Sequence, residues 1–559
     1  MAENETTHSA DEFKEFFQRT LSNHSIQNSA LLNDLTDGIK TLISEKHPKF
    51  ELGEECVPFP KIELESSESE NYEHEETDIF DEDESFLRQL KSGKIKHREL
   101  EKKVCAEKAV RIRKRYFEEL LNVDLTDIPD KNYNFEIIKG ACCENPIGYI
   151  PVPVGVAGPF LIDDEEVYLP LATTEGALVA SINRGCKVVS DNGGIMSFVE
   201  DVGMTRAPHF SLPNVHEAGN FCTWIKNPKT FASLKSCFEE TSSYAKLIKI
   251  EPRQQGRNVS LRFVSRTGDA MGMNMVSKGC EKAVQYIKKE YPKAEFRSLS
   301  SNLCTDKKAA GINWTEGRGK IAICEVTIKA EAVQKQLHTT VDQMVSLCQE
   351  KCSEGSAMAV TIGGGNAQAA NIVAAMFIAT GQDAAQVVSS SMCMTTMEKT
   401  KDDDLYVQCT MRCLEVGTVG GGTILAPQKA ALKILNCCGS HSTNPGQNAC
   451  RLAKIICSAV LAGEVSLMAA LCTDDLVKSH LRMNRSVVNV HADTEPNLLK
   501  FRTQGSSVGQ FKSVAELPEL HETNSRSGRD LIKASDLLNA VVESPCLQKM
   551  KRTNCTNIL

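Results

Sequence analysis

Apolar and polar positions alternate between two periods along this chain, and the switches mark its elements. Phe13, Phe16, Phe17, Leu21, Leu31, Leu32 and Leu35 keep a helical spacing, so Phe13 to Ile43 predicts a short amphipathic helix in an otherwise polar leader. Ser85 to Leu121 reads as a charged helix. Glu144 to Pro159 alternates Pro and Gly too closely for a helix and predicts an extended, turn-rich segment. Phe160 to Leu171 predicts a hairpin about Asp163-Asp164, and Ala172 to Val189 a helix. Lys246 to Ile250, Val259 to Ser265 and Ile321 to Ile328 read as strands, and Met273 to Tyr291 as a long helix. Helical patterns dominate Ala332 to Thr380 and Pro445 to Ser486, and Ala534 to Val542 is a last candidate helix. Gly355 to Gln382 is free of charge, but Gly363, Gly364, Gly365, Asn366, Gln368 and Asn371 make it too polar for a lipid span. It predicts a buried helix entered through a glycine loop, and no other segment is expected to approach ~20 apolar residues, which reads as a soluble chain.

Charge changes this picture in one place. Glu63 to Glu84 holds twelve carboxylates and no Lys or Arg; without them the formal charge of −9 becomes +3. The acidic run marks residues 1–84 as a weakly structured leader. The remainder is near neutral, which excludes nucleic-acid binding through overall basicity and suits an anionic small molecule. Of the 22 cysteines no two stand three apart, so neither a zinc ribbon nor a thioredoxin motif can be built, and reduced thiols in the cytosol are expected.

The common phosphate, dinucleotide and zinc devices are missing: there is no Walker loop, no Gly-x-Gly-x-x-Gly opening a helix and no His-Glu-x-x-His. Two other glycine loops remain, Gly363 to Gly365 and Gly417 to Thr423, either of which reads as a phosphate cradle or as a tight turn. Glu175, Lys307, Asp383 and His480 lie among apolar or small residues. A carboxyl so placed can serve as an acid and a lysine can stabilise an oxyanion, while a helix cap or a satisfied core group is the plainer alternative. Gly268-Asp269-Ala270-Met271-Gly272-Met273-Asn274-Met275 is either core packing or a helix start that offers N–H groups to an anion.

Taken together these strings resemble the catalytic portion of eukaryotic-type 3-hydroxy-3-methylglutaryl-coenzyme A (HMG-CoA) reductases. The resemblance runs from about Lys91 to Ser486. It rests on Glu144 to Pro159, Thr173-Thr174-Glu175-Gly176, Gly203-Met204-Thr205-Arg206, Gly268 to Met275, Thr305-Asp306-Lys307-Lys308, Gly381 to Gln386, Gly417 to Thr423, Ser479-His480 and Asn484-Arg485-Ser486. It implies two NADPH-dependent reductions of HMG-CoA to mevalonate and coenzyme A, on the route to isoprenoids and sterols. Lys307 would stabilise the oxyanion, Glu175 would deliver a proton, Asp383 would tune both, and all three are expected within hydrogen-bond reach of one another, or nearly so before substrate binds. His480 would protonate the leaving thiolate. Arg206, Ser300, Asp306, Lys308 and Lys351 match the glutaryl end and Asn371 a polar partner. Ser181, Asn183 and Arg184 match the coenzyme A side. Ser242, Asp269, Met271, Gly272, Met273, Asn274, Met275, Val419, Gly420, Gly421, Asn484 and Arg485 match the NADPH site; no metal is implied.

The implied architecture is an α/β (α+β) chain with a non-Rossmann cofactor fold. After the leader come a helical N-domain over 85–143 and a large, mainly helical substrate domain over 144–207 and 299–486. A small antiparallel-sheet NADP-binding domain is inserted at 208–298, and 487–559 form a tail. A homodimer or tetramer with active sites between subunits is implied. As the chain stands it reads as cytoplasmic, although relatives of this type are endoplasmic reticulum membrane proteins with a cytosolic catalytic part. Departures from the family pattern are the absence of a tyrosine in His97 to Glu101, Ser243 where an arginine is usual, Gln368 and Met483 for histidines, and Val387 for an asparagine. Ser486 follows Leu481 and Arg482 in a spacing that resembles sites of AMP-activated protein kinase. A non-catalytic coenzyme A- or sterol-pathway-binding regulator is the alternative; loss of Glu175, Lys307, Asp383 or His480 would have favoured it, and all four are present.

Overall fold

In the computed structural model, residues 83–473 are described. The expected helices at Phe13 to Ile43 and Ala534 to Val542, the acidic run up to residue 82, and His480, Asn484, Arg485 and Ser486 lie outside them. The described chain mixes helix and sheet. A helix over 83–91 and a tight helical turn, His97–Lys102, come first, so the helix expected over Ser85 to Leu121 is broken. Its last part, the charged helix α1 (Ala106–Leu121), buries Ala109, Val110 and Ile112 on one face. Residues 144–153 form no helix or strand, and the chain then enters a hairpin of β1 (Val154–Ile162) and β2 (Glu165–Ala172). Its turn places Asp163 and Asp164 at φ 47° and 63°, the left-handed pair that a two-residue hairpin needs. Strand β2 continues through Ala172, so the expected helix starts late, as α2 (Leu178–Ser190). Thr173 to Gly176 therefore form a loop that carries Glu175.

The principal sheet has nine strands and is antiparallel except at one edge. Its order is β7 (Glu295–Ser298), β4 (His209–Ser211), β6 (Asn258–Arg266), β3 (Met196–Arg206), β8 (Gly319–Ile328), β11 (Leu405–Leu414), β10 (Cys393–Lys399) and β9 (Gly364–Gly365), with β5 (Lys246–Gln255) also on β6. Strand β3 is the hinge of this arrangement. Its first part, Met196 to Gly203, pairs with β8, and Met204 to Arg206 pair with β6.

Two hydrophobic cores flank that strand. The smaller is built from residues 204–299. Here α3 (Val215–Lys226), α4 (Pro228–Glu239) and α5 (Met273–Glu290) cover β4, β5 and β6. Helix α5 buries Met273, Val276, Cys280, Ala283, Val284 and Ile287, one stripe at helical period. The larger core collects β1, β2, β8, β10 and β11 with α2, α6 (Ala330–Leu337), α7 (Val341–Cys348), α8 (Ala369–Thr380), α9 (Ala426–Ile434) and α10 (Gln447–Cys472).

The buried helix expected within Gly355 to Gln382 is α8, entered through the glycine loop that holds the short strand β9; a π-helical turn, Gln349–Gly355, lies before that loop. The expectation that no other segment approaches twenty apolar residues is corrected. Among the described residues α10 is long and apolar enough to cross a membrane, yet 78% of its most apolar stretch is buried inside the protein. Arg451, Lys454 and Glu464 interrupt its sequence and hide the length of the apolar run from a composition count.

Helix α2 crosses α10 at Gly185, where an added Cβ would lie 1.9 Å from the carbonyl oxygen of Ala462. Contact this close leaves no room for a methyl group without moving a backbone. Gly185→Ala is expected to lower stability by about 3 kcal/mol, read as an earlier urea midpoint; an unchanged midpoint would show that the two helices separate freely.

Candidate active site

The expected site residues gather in three places. The first is the loop after β7. Asn302, Thr305 and Lys307 have φ of 64°, 56° and 60°, conformations that non-glycine residues avoid. Buried contacts hold the loop there. Asn313, fully buried, donates from Nδ2 to the carbonyls of Thr305 and Lys308, both at 3.2 Å, and accepts from the Thr305 hydroxyl. The Thr205 hydroxyl donates to the Cys304 carbonyl at 2.8 Å. Strain of this kind persists only where the surroundings over-determine it.

The loop thus sends Asp306 inward and Lys307 outward. Asp306 Oδ1 accepts from Gln386 Nε2 at 2.7 Å and lies 3.1 Å from Arg318, with Arg206 4.0 Å from Oδ2. Burial alone would raise the Asp306 pKa; Arg318, the Gln386 hydrogen bond and Arg206 outweigh it and hold the carboxyl below its usual range. Arg318 is itself fully buried, 2.5 Å from the equally buried Glu415. Burial pushes Glu415 up to about 7 against the pull of Arg318. Lys308 Nζ donates to the Asp306 carbonyl at 3.1 Å, and the Ser300 hydroxyl lies 3.1 Å from Cys304 Sγ.

The second place is α8. At its C-terminal end Gly381 leaves the helix at φ 71° with Gly422 packed against its backbone. Asp383 follows and caps a short turn, accepting from the Ala385 N–H at 3.1 Å, and its Oδ2 is 2.9 Å from Lys307 Nζ. In the first turn of α8, Asn371 Nδ2 donates to Glu175 Oε1 at 3.3 Å. Asn371 and Gly381 are ten residues apart, so the two pairs are anchored about 15 Å apart along the helix. Among the described residues no hydrogen bond or ion pair joins one pair to the other. Of the three residues expected together or nearly so before substrate binds, Lys307 and Asp383 are paired, and Glu175 is hydrogen-bonded to Asn371 in the first turn of α8. Lys351, in the π-helical turn, acts electrostatically on the buried Glu464.

The third place unites strings far apart in sequence. Ala270 bridges Val419 in parallel, Thr418 N–H donates to the Asp269 carbonyl at 2.7 Å, and Gly417 N–H to Gln382 at 2.9 Å. A Cβ on Gly417 would sit 2.3 Å from the Met271 nitrogen. Gly272, at φ 84°, opens α5 and presents Met273, Asn274 and Met275 in its first turn. The Ser242 hydroxyl accepts from the Tyr244 and Ala245 N–H groups and donates to Met275 Sδ at 3.3 Å. Gly420 and Gly421 have positive φ and open space where a side chain would stand, a cradle free for a ligand.

Several expected binding residues serve the scaffold. The Asp269 carboxylate is buried and accepts from the His441 and Ala449 N–H groups, which ties the loop to the start of α10. Ser181 and Arg184 hydrogen-bond Ser466 on α10, and Asn183 accepts from Gly158 N–H. Arg318, Glu415, Asn313 and Glu464 escaped the sequence reading. For Glu464 a signal existed, as the lone acidic residue in the α10 sequence.

The hydroxymethylglutaryl-coenzyme A reductase family profile matches residues 109–485, about two thirds of the chain. The chain belongs to that family. It is 51% identical over 388 residues to the 3-hydroxy-3-methylglutaryl-coenzyme A reductase of Strongylocentrotus purpuratus, covering 69% of this chain and 42% of that one. Against the Xenopus laevis enzyme of the same name it is 51% identical over 368 residues, covering 66% and 42%. The chain thus spans less than half the length of these relatives. Its structure is similar to that of the class II reductase of Streptococcus pneumoniae bound to NADPH, with TM-score 0.44 and 18% identity, covering 59% of this chain and 78% of that one.

Glu415 generates a pH prediction. The folded state keeps its proton up to about pH 7, whereas an unfolded glutamate releases it near 4.5. Between those values the folded state binds more protons, so this group's stabilisation is full below 4.5 and is lost as pH rises through 7. The loss is about 3 kcal/mol. Glu415→Gln should flatten the dependence of the urea midpoint on pH between 5 and 7.5; identical slopes would place the buried titration elsewhere.

Proposed function

We propose that this chain reduces HMG-CoA to mevalonate and coenzyme A with NADPH, at sites shared between two copies. The Lys307–Asp383 ion pair, presented by a strained loop whose other carboxylate is locked inward, carries the reading. Lys307 is a cation presented beside a carboxylate at the end of α8, the arrangement an oxyanion needs. NADPH, when bound, would supply one hydride in each of the two reductions, so two NADPH are consumed per mevalonate. The open Gly420-Gly421 cradle and the first turn of α5 would hold its phosphates through backbone N–H groups. Arg206, beside the inward Asp306, and Lys308 orient the glutaryl end, and Lys307 holds the developing negative oxygen. Glu175, kept in place by Asn371, delivers the proton, and His480 would protonate the departing thiolate. The larger core with its helices is the substrate part, and the antiparallel strands and helices over 208–298 are the non-Rossmann cofactor part.

The separation of the two pairs supports a shared site. If Glu175 and Asn371 act on the substrate held by Lys307 of another copy, the roughly 15 Å along α8 is no obstacle. An uncovered apolar ridge lies on the turn after the π-helix, with Met358 86% and Val360 82% exposed. Val360 also has φ 54°, costly for a β-branched residue. A second copy seated there would bury what water otherwise meets.

Glu175→Gln and Lys307→Ala, each assayed alone, should lose about 100-fold or more of kcat in HMG-CoA-dependent NADPH oxidation. Refolded together they should regain about a quarter of wild-type activity, since half the dimers are mixed and each has one intact site. No recovery on mixing would place the whole site in one chain. Inactivity of the wild type would overturn the function itself.

Ser486 is the proposed target of an AMP-activated-type kinase. A phosphate there adds about −1.5 to −2 charges beside Arg482 and Arg485 and competes for the cations at the cofactor site. Kinase treatment should slow the wild type and leave Ser486→Ala unaffected; equal inhibition of both would assign the switch to another residue.

A further inference from the structure

Helix α10 carries one carboxylate in its apolar length, Glu464, and that side chain is fully buried. It is far from bare. Oε1 accepts from the Gln368 N–H at 2.7 Å, and Oε2 accepts from the Ala367 N–H at 2.7 Å and the Thr395 hydroxyl at 2.9 Å. All three partners are donors, which suits an acceptor-only carboxylate. Burial raises its proton affinity, and those hydrogen bonds together with Lys351 pull it back.

The two N–H groups belong to the entry of α8, where backbone donors have no partner within the helix. The N-cap residue of α8, Gln368, makes no side-chain cap of its own; its Nε2 donates instead to the Gly463 carbonyl at 2.8 Å. Ile372 lies so close that a Cβ on Gly463 would stand 2.9 Å from it. The first turn of α8 is therefore bolted to α10 by Gly463 and Glu464, and that turn carries Asn371, which holds Glu175.

We propose that Glu464 is a positioning residue whose buried carboxylate caps α8 from a neighbouring helix and so sets where Asn371 holds Glu175. The inference rests on the reading of Glu175 as the proton donor. Glu464 hydrogen-bonds only Ala367, Gln368 and Thr395 among the described residues, and its hold on Glu175 passes through α8.

The test is Glu464→Gln in the full chain. Either orientation of the new amide sets its NH2 against a backbone N–H, of Ala367 or of Gln368, so the entry to α8 must shift. The expected result is a roughly 10- to 100-fold fall in kcat for HMG-CoA reduction, with the KM for NADPH changed less than about twofold. Amide hydrogen exchange at residues 367–371 should quicken about tenfold or more while the centre of α10 stays protected. Thr395→Val, which removes one donor and leaves both N–H contacts, should give a smaller fall of about threefold with the same unchanged KM. It carries the test if Glu464→Gln does not fold. A lower melting temperature with kcat unchanged would reduce Glu464 to a structural residue and overturn the proposal. An inactive wild type would refute the function, and exchange at residues 367–371 would still decide whether Glu464 holds α8.

Discussion

A guanidinium that cannot give up its charge sits in a dry interior at Arg318, and much of the molecule is arranged to satisfy it. Glu415, at the end of β11, lies 2.5 Å from it, and Asp306, in the loop after β7, lies 3.1 Å away. Arg318 Nε donates to the Thr205 hydroxyl on β3 at 2.8 Å, and Nη2 points at Met273 Sδ on α5. Removing one partner of such a buried group costs about 3–5 kcal/mol, because the remaining charge has no water to turn to. The four contacts come from both hydrophobic cores. The pairing therefore holds the two cores together and fixes the inward side of the loop whose outward side is Lys307.

Helix α8 turns that rigidity into spacing. Its entry is fixed by Glu464, its exit by the contact of Gly381 with Gly422, and both contacts are backbone-close. A helix has a fixed rise, so the Asn371 end and the Asp383 end keep a fixed separation. The glycine loop packed at the exit continues into the Val419–Ala270 bridge, so the ends of α8 connect the candidate substrate residues to the candidate cofactor face. The strained φ values at Thr305, Lys307 and Val360 stand where a short segment must present a side chain that no regular element could present.

Local features decided a good deal by themselves. The hairpin followed from Asp163-Asp164, helix α5 from a stripe of six apolar residues, and the extended segment from its prolines and glycines, because turn chemistry and periodicity act over a few residues. Motif strings were legible for the same reason: Lys307, Asp383, Glu175 and the two glycine loops stand out from their immediate neighbours. What the strings could not carry was distance. Glu175 was expected with Lys307 and Asp383, and the partner the fold gives it is Asn371, reached from the loop that follows the continued β2. Arg318 sits next to Gly319 and Lys320 at the head of a strand and reads as an ordinary polar edge. Glu415 ends a strand, and Asn313 lies in a six-residue helix. Each is buried only because sheet order brings β3, β8 and β11 together across more than 200 residues of chain. Residue type and spacing thus determined which groups are available for chemistry. Which of them are dry, which are paired and which can meet was decided by tertiary structure alone, since burial and charge pairing are properties of contacts between segments that no single segment contains.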